Sequence, residues 1–183
     1  LLAGVRFCLY PSPLHYKLIP SVAKTLGATI LFGTDTFLAA YAKTAKDEDF
    51  ASLRLVVAGA EPVRPETRQV WRRRFGAEIA EGYGMTEAAP VVAVNTSTHG
   101  REGTVGRALP GMRLRLEPVE GIADAGRLFV KGPNVMLGYM TAEKPGKLQP
   151  LGEGWHDTGD IVAIDREGFL TIRGRLKRFA KIA

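Results

Sequence analysis

The chain has 183 residues, 45% of them hydrophobic and 24% charged, with 21 Gly, 11 Pro and a formal net charge of +6. That composition excludes disordered, collagenous and coiled-coil chains and fits one domain or two small ones. The first apolar run, residues 1–10, is broken by Arg6 and followed by Pro11 and Pro13, so it is too short to span a bilayer and lacks the layout of a signal peptide.

The early segment 5–10 reads as a buried strand. A soluble protein in a reducing compartment is expected, because the single Cys8 has no internal disulfide partner; beside Val5, Phe7 and Leu9 it reads as a small buried hydrophobe. From residue 4 to about 95, short β-rich runs alternate with amphipathic stretches at 5–10, 20–26, 29–32, 36–43, 53–58, 65–75, 78–80 and 91–94. Such alternation predicts βαβ units and a largely parallel sheet. The clearest helix is 65–75, with Pro65 at a favoured first position, Glu66 in the first turn and Gly76 as the stop. Thr67, Val70, Trp71 and Phe75 form its inner face, leaving Arg72 and Arg73 to water. Pro20 starts its helix, because in mid-helix it costs about 3 kcal/mol.

Past His99 the texture changes to short strands at 103–106, 112–117, 126–130, 161–164 and 169–172, the last two flanking the turn Asp165-Arg166-Glu167-Gly168. These predict antiparallel β structure. The expected fold class is therefore α/β, with a parallel-sheet part over 1–97 followed by a small antiparallel β-barrel-like part over 98–173. Leu1 is not an initiator methionine and both ends stop inside a pattern, so a piece of a larger protein is expected.

Familiar sites fail one by one. There is no G-x-x-x-x-G-K-[ST] loop, no G-x-S-x-G elbow, no H-E-x-x-H and no cysteine pair for zinc. His15, His99 and His156 lack ligand spacing and read as surface or hydrogen-bonding residues. Basic clusters at 72–74 and 173–181 suit nucleic acid, a membrane surface or a phosphorylated ligand, but no motif with interleaved aromatics accompanies them, so no nucleic acid partner is expected.

Gly82-Tyr83-Gly84-Met85-Thr86-Glu87 follows a predicted strand and begins like G-x-G-x-x-G, but Glu87 stands where a dinucleotide turn needs a small residue. What it offers instead is a turn, the Thr86 hydroxyl and a carboxylate, groups that suit a phosphate oxygen and Mg²⁺. Downstream, Trp155-His156-Asp157-Thr158-Gly159-Asp160 sets two carboxylates three residues apart around a glycine. One can cap the turn while the other accepts two hydrogen bonds from a diol such as ribose.

Five segments occur in order: Gly59-Ala60-Glu61-Pro62; the Tyr83 to Glu87 turn; Gly126-Arg127-Leu128 with the run from Lys131 to Tyr139; Trp155 to Asp160; and Gly168-Phe169 through Gly174-Arg175-Leu176-Lys177. Together they resemble the adenylate-forming superfamily of acyl-CoA synthetases, luciferases and peptide-synthetase adenylation domains. Within it, residues 31–38 and 174–183 are similar to the acyl-(acyl-carrier-protein) synthetase part of bacterial bifunctional 2-acylglycerophosphoethanolamine acyltransferases.

The resemblance implies a fragment of the superfamily's large domain, with ATP/AMP and Mg²⁺ as cofactors. In that family a fatty carboxylate attacks the α-phosphate of ATP, and a phosphopantetheine thiol of an acyl carrier protein or CoA takes the acyl group, here with onward transfer to 2-acylglycerophosphoethanolamine. Ala60, Glu61 and Pro62 would flank the adenine and Tyr83 would stack near it. Thr86 would touch the α-phosphate, Glu87 would hold Mg²⁺, and Asp160 with Arg175 would take the ribose hydroxyls. Residues 174–183 would form the hinge to a further domain, turning at Lys177. By this resemblance the phosphate loop and the catalytic lysine fall outside 1–183, so the isolated chain is expected to be an inactive part of an acid-thiol ligase. The resemblance further implies a place on the cytoplasmic side, associated with the bacterial inner membrane. The alternatives are a fatty acyl-CoA synthetase and, from another class, a non-catalytic module docking an acidic carrier protein.

Overall fold

The computed structural model describes residues 4–176, and these divide into two compact units on either side of the step from residue 79 to residue 80. In the first, helix α1 (Ile19–Leu26) carries proline in its opening turn and ends at Gly27, whose φ of 58° falls in the left-handed region that favours glycine. Strand β1 (Ile30–Gly33) leads to helix α2 (Asp35–Thr44), where the Thr34 hydroxyl accepts the Phe37 N–H as a cap. Strand β2 (Leu55–Ala58) runs parallel to β1, with Ile30 opposite Leu55 and Gly33 opposite Ala58. Helix α3 spans Pro65–Phe75, as its proline and glycine punctuation predicts.

An aromatic knot forms the centre of this unit. Phe50 stacks on Trp71 at 4.8 Å, and Phe75 meets both rings edge-on at 5.0 Å, while the Trp71 indole N–H donates to the Leu38 carbonyl at 3.0 Å. The inner face of α3 differs from the sequence reading at two positions. Val70 is exposed and Arg68 is buried, its guanidinium donating to the Ile79 carbonyl at 2.7 Å. That bond occupies one of the guanidinium's five donors, part of the partnering a buried cation needs. Arg72 is likewise exposed but pairs with Glu78 at 2.6 Å.

The second unit holds strands β3 (Ile79–Gly84) and β4 (Val91–Val94), which are antiparallel, with the two-residue β5 (Arg107–Ala108) beside β4. Strands β6 (Arg113–Val119) and β7 (Ile122–Lys131) form a hairpin. β8 (Gly138–Met140) pairs with β9 (Leu148–Pro150). β10 (His156–Ile164) and β11 (Leu170–Arg175) complete a four-stranded antiparallel sheet in the order β11, β10, β7, β6. Val92, Leu128, Val130, Val162 and Leu170 form its buried core.

Four expectations are corrected. Among the described residues, 4–10 form no strand and Cys8 is exposed; without a neighbouring strand the segment has no ladder to satisfy its backbone, which stays with water. The sheet is not largely parallel: β1 with β2 is a parallel pair, whereas β3, β4 and β5 are antiparallel. The later strands form an open sheet, not a closed barrel. Residues 103–106 are turn and irregular structure, with positive φ at Gly103 and Gly106. No described helix is long and apolar enough to cross a membrane.

Asp35 ties the first unit together. It is almost fully buried and accepts the Arg64 N–H at 3.0 Å and the Arg64 Nε at 2.5 Å. Burial pushes its carboxyl upward, but bonds from the Thr67 hydroxyl and from Arg64 outweigh that and hold it below the usual range. A carboxyl lowered by folding adds stability above its unfolded value, near ~3.9, and loses it as pH falls through the folded value. In urea unfolding, Asp35→Asn is expected to cost about 1–2 kcal/mol at pH 7, allowing for screening at the exposed Arg64, with the gap to the parent closing below about pH 4. A gap of constant size from pH 7 to pH 3 would contradict the assignment.

Candidate functional site

The site lies within the second unit, where β3 and β10 present their polar ends. Tyr83 on β3 donates its hydroxyl to Asp160 Oδ2 on β10 at 2.6 Å. Arg175, opposite Asp160 in the β10–β11 register, brings its Nε to 3.3 Å from Oδ1, and its guanidinium also reaches the Thr158 carbonyl at 3.5 Å. Three of the residues singled out from sequence are thus brought together around one carboxylate.

Local geometry explains why Asp160 points there. Gly159 has φ 68°, and Asp157 Oδ1 accepts the Gly159 N–H at 3.0 Å, so Asp157 is the turn-capping partner of the pair. Arg127 bonds both oxygens of Asp157. Burial pushes the Asp157 carboxyl upward, but Arg127 and the Gly159 N–H hold it below its ordinary value. The Thr158 hydroxyl accepts the Asp160 N–H at 3.0 Å and donates to the Leu128 carbonyl at 2.9 Å. A register shift between Ile161 and Val162 then lets two successive apolar residues face the interior.

Gly82 and Gly84 lie within β3 rather than after a strand. A Cβ at Gly84 would stand 2.0 Å from the Pro90 carbonyl oxygen, so a glycine is needed for the turn to fold back. That turn holds Thr86 and Glu87. Thr86 is exposed. Glu87 Oε1 accepts the Tyr139 hydroxyl at 2.9 Å; its own N–H and Tyr139, helped by His156 and Arg175, hold the carboxyl below its ordinary value. His156 is buried, with its ring 6.3 Å from that of Tyr139, so of the surface and hydrogen-bonding roles read from the sequence the surface one does not hold. Tyr139, Thr158 and Arg127 were not singled out individually, because 52 residues separate Tyr139 from Glu87 and no local spacing links them.

Ala60, Glu61 and Pro62 belong to the first unit. Ala60 takes φ 70°, an uncommon conformation for a residue with a Cβ. Glu61 does not present a free carboxylate: Oε1 accepts the Thr36 N–H at 3.1 Å and Oε2 the Thr36 hydroxyl at 3.0 Å, at the start of α2. The Thr34 hydroxyl and these Thr36 bonds hold its carboxyl below the usual range. Lys177 lies outside the described residues.

Glu87 suits a magnesium ion that completes its shell with phosphate oxygens and water, the manner in which Mg²⁺ is usually held. Among the described residues no group of three or more His, Cys, Asp or Glu is placed to hold a metal by itself.

The sequence model described as AMP-binding enzyme matches residues 1–140. The chain belongs to the AMP-binding enzyme family. Curated relatives in it include a long-chain-fatty-acid–CoA ligase of Yersinia pestis, 35% identical over 95% of this chain and 32% of its own length. A ligase of the same name from Salmonella typhimurium is 36% identical over 87% of this chain and 30% of its own. Among solved structures, the anthranilate CoA ligase AuaEII in complex with anthranoyl-AMP superposes with TM-score 0.79 at 25% identity, over 95% of this chain and 35% of its own. ATP-bound MatB from Rhodopseudomonas palustris gives 0.69 at 32%, over 85% and 33%. The chain thus spans about a third of the length of these AMP-binding relatives.

Burial, and next the bond to Asp160, push the Tyr83 hydroxyl far above the ordinary phenol range. It should stay a protonated donor in alkali. In an ultraviolet tyrosinate titration, Tyr83→Phe and the parent are expected to show equal amplitude up to about pH 11; a smaller amplitude in the variant would contradict the buried hydrogen bond.

Proposed function

We propose that this chain is part of an ATP-dependent ligase that activates a fatty acid as its acyl-adenylate and passes the acyl group to a phosphopantetheine thiol. The observation that carries the reading is the Asp160 carboxylate, held by Tyr83 and Arg175 in a chain of the AMP-binding family. Held this way, Asp160 can exchange its protein contacts for two ribose hydroxyls, with the guanidinium of Arg175 remaining beside them. Adenine stacks beside the Tyr83 ring, which comes from the same unit as Asp160. Thr86 donates to the α-phosphate.

In the first half-reaction a carboxylate oxygen forms a bond to the α-phosphorus and the bond to pyrophosphate breaks. In the second, the thiol sulfur bonds to the acyl carbon, AMP leaves and the thiol proton goes to solvent. Charge develops on phosphate oxygens, so the work is positioning and electrostatic stabilisation. Glu87 would hold Mg²⁺, which when bound would supply neutralisation of that charge.

Relatives 35–36% identical are named long-chain-fatty-acid–CoA ligases, which supports a fatty acid as substrate and CoA as acceptor. An acyl carrier protein as acceptor, with onward acylation of 2-acylglycerophosphoethanolamine at the inner membrane, is the second reading. It is supported by the resemblance of residues 31–38 and 174–183 and by the net charge of +6, which suits an acidic carrier.

In the full-length protein carrying this segment, Asp160→Ala is expected to weaken ATP binding about tenfold or more, since each charged hydrogen bond contributes about 1.5–3 kcal/mol. Calorimetric titration checks this, and equal affinities would contradict the site. The 183-residue chain alone is expected to show no fatty-acid-dependent pyrophosphate exchange, and robust exchange would overturn the assignment of roles. Supplying CoA and acyl carrier protein separately decides the acceptor.

A further inference from the structure

The segment from Asn134 to Tyr139 grips the Glu87 turn by side chain and main chain together. Tyr139 gives its hydroxyl to Glu87 Oε1 at 2.9 Å, and the Met136 N–H donates to the Glu87 carbonyl at 2.8 Å. Asn134 Nδ2 donates to the carbonyls of Ala88 at 2.5 Å and Val91 at 2.9 Å. The Tyr139 ring is 45% exposed and is backed on one side. It lies in β8 opposite Gln149, with the ring of buried His156 6.3 Å away. The preceding residue has to be glycine for the two strands to close, because a Cβ at Gly138 would stand 2.0 Å from the Gln149 carbonyl oxygen.

A glutamate side chain has three rotatable bonds, and an exposed one samples many rotamers. Here one oxygen is bound by a hydroxyl on a ring backed by His156, which narrows the directions open to the other oxygen. We propose that Tyr139 is a positioning residue that holds the Glu87 carboxylate in the orientation a divalent cation requires. This rests on the reading that Glu87 holds Mg²⁺ beside the nucleotide. Tyr139 acts through Glu87 alone and touches neither metal nor nucleotide.

The test is a double-mutant cycle in the full-length protein, read by Mn²⁺ electron paramagnetic resonance in the presence of the unreactive α,β-methylene analogue of ATP. Tyr139→Phe removes one oxygen and keeps the ring against His156, and an unchanged urea midpoint shows that the fold is intact. The variant is expected to weaken Mn²⁺ binding about fivefold, the effect of one hydrogen bond, while AMP affinity without metal stays the same. In a Glu87→Gln background the same change should have no further effect. Equal losses in both backgrounds, or no loss in the parent, would overturn the proposal. If Glu87→Gln itself leaves Mn²⁺ affinity unchanged, the reading of Glu87 fails and the proposal falls with it, by a signature distinct from a silent Tyr139→Phe.

Discussion

A carboxylate at the edge of an apolar core must be satisfied from within the protein, and Asp160 meets this constraint through Tyr83 and Arg175. Its two neighbours along the chain, Ile161 and Val162, are both buried, which a regular strand would not permit because its side chains alternate. The register shift after Ile161 and the left-handed Gly159 before Asp160 resolve the conflict. They let the apolar pair turn inward while the carboxylate stays with Tyr83. Asp157 and Thr158, just before the turn, accept the N–H groups of Gly159 and Asp160, so the polar groups of this stretch hold the carboxylate in place as much as they surround it.

The first unit solves a related problem with backbone strain. Ala60 adopts a conformation that glycine takes more easily, and such strain persists only where neighbours over-determine it. Those neighbours are Glu61, whose carboxylate caps α2 at Thr36, and Arg64, tied to buried Asp35. The acidic side chain of this loop is therefore committed within its own unit. The same logic recurs at Glu87, where the carboxylate is held by a hydroxyl from a distant strand.

Much of this was legible where punctuation is chemical. Pro65 and Gly76 marked both ends of α3, and the Asp165 to Gly168 turn marked the last hairpin. The pairing of a capping and a free aspartate was readable from two carboxylates flanking a glycine, and Asp157 proved to be the cap. What was not legible depends on partners far away in sequence. β5 and β8 are two and three residues long, too short for a period to show. Segment 4–10 has the composition of a strand but no strand beside it among the described residues. Burial of Arg68 depends on the position of the Ile79 carbonyl, and Tyr139 gains its role only when β8 folds against the Glu87 turn.

The central claim is that Asp160 recognises a ribose diol, and the most direct measurement compares AMP with 2′,3′-dideoxy-AMP on the full-length protein and on its Asp160→Ala variant. Removing both hydroxyls from the ligand is expected to weaken binding to the parent by about tenfold or more and to leave binding to the variant unchanged. A parent that binds the two nucleotides equally well, or a variant that still discriminates between them, would contradict the account.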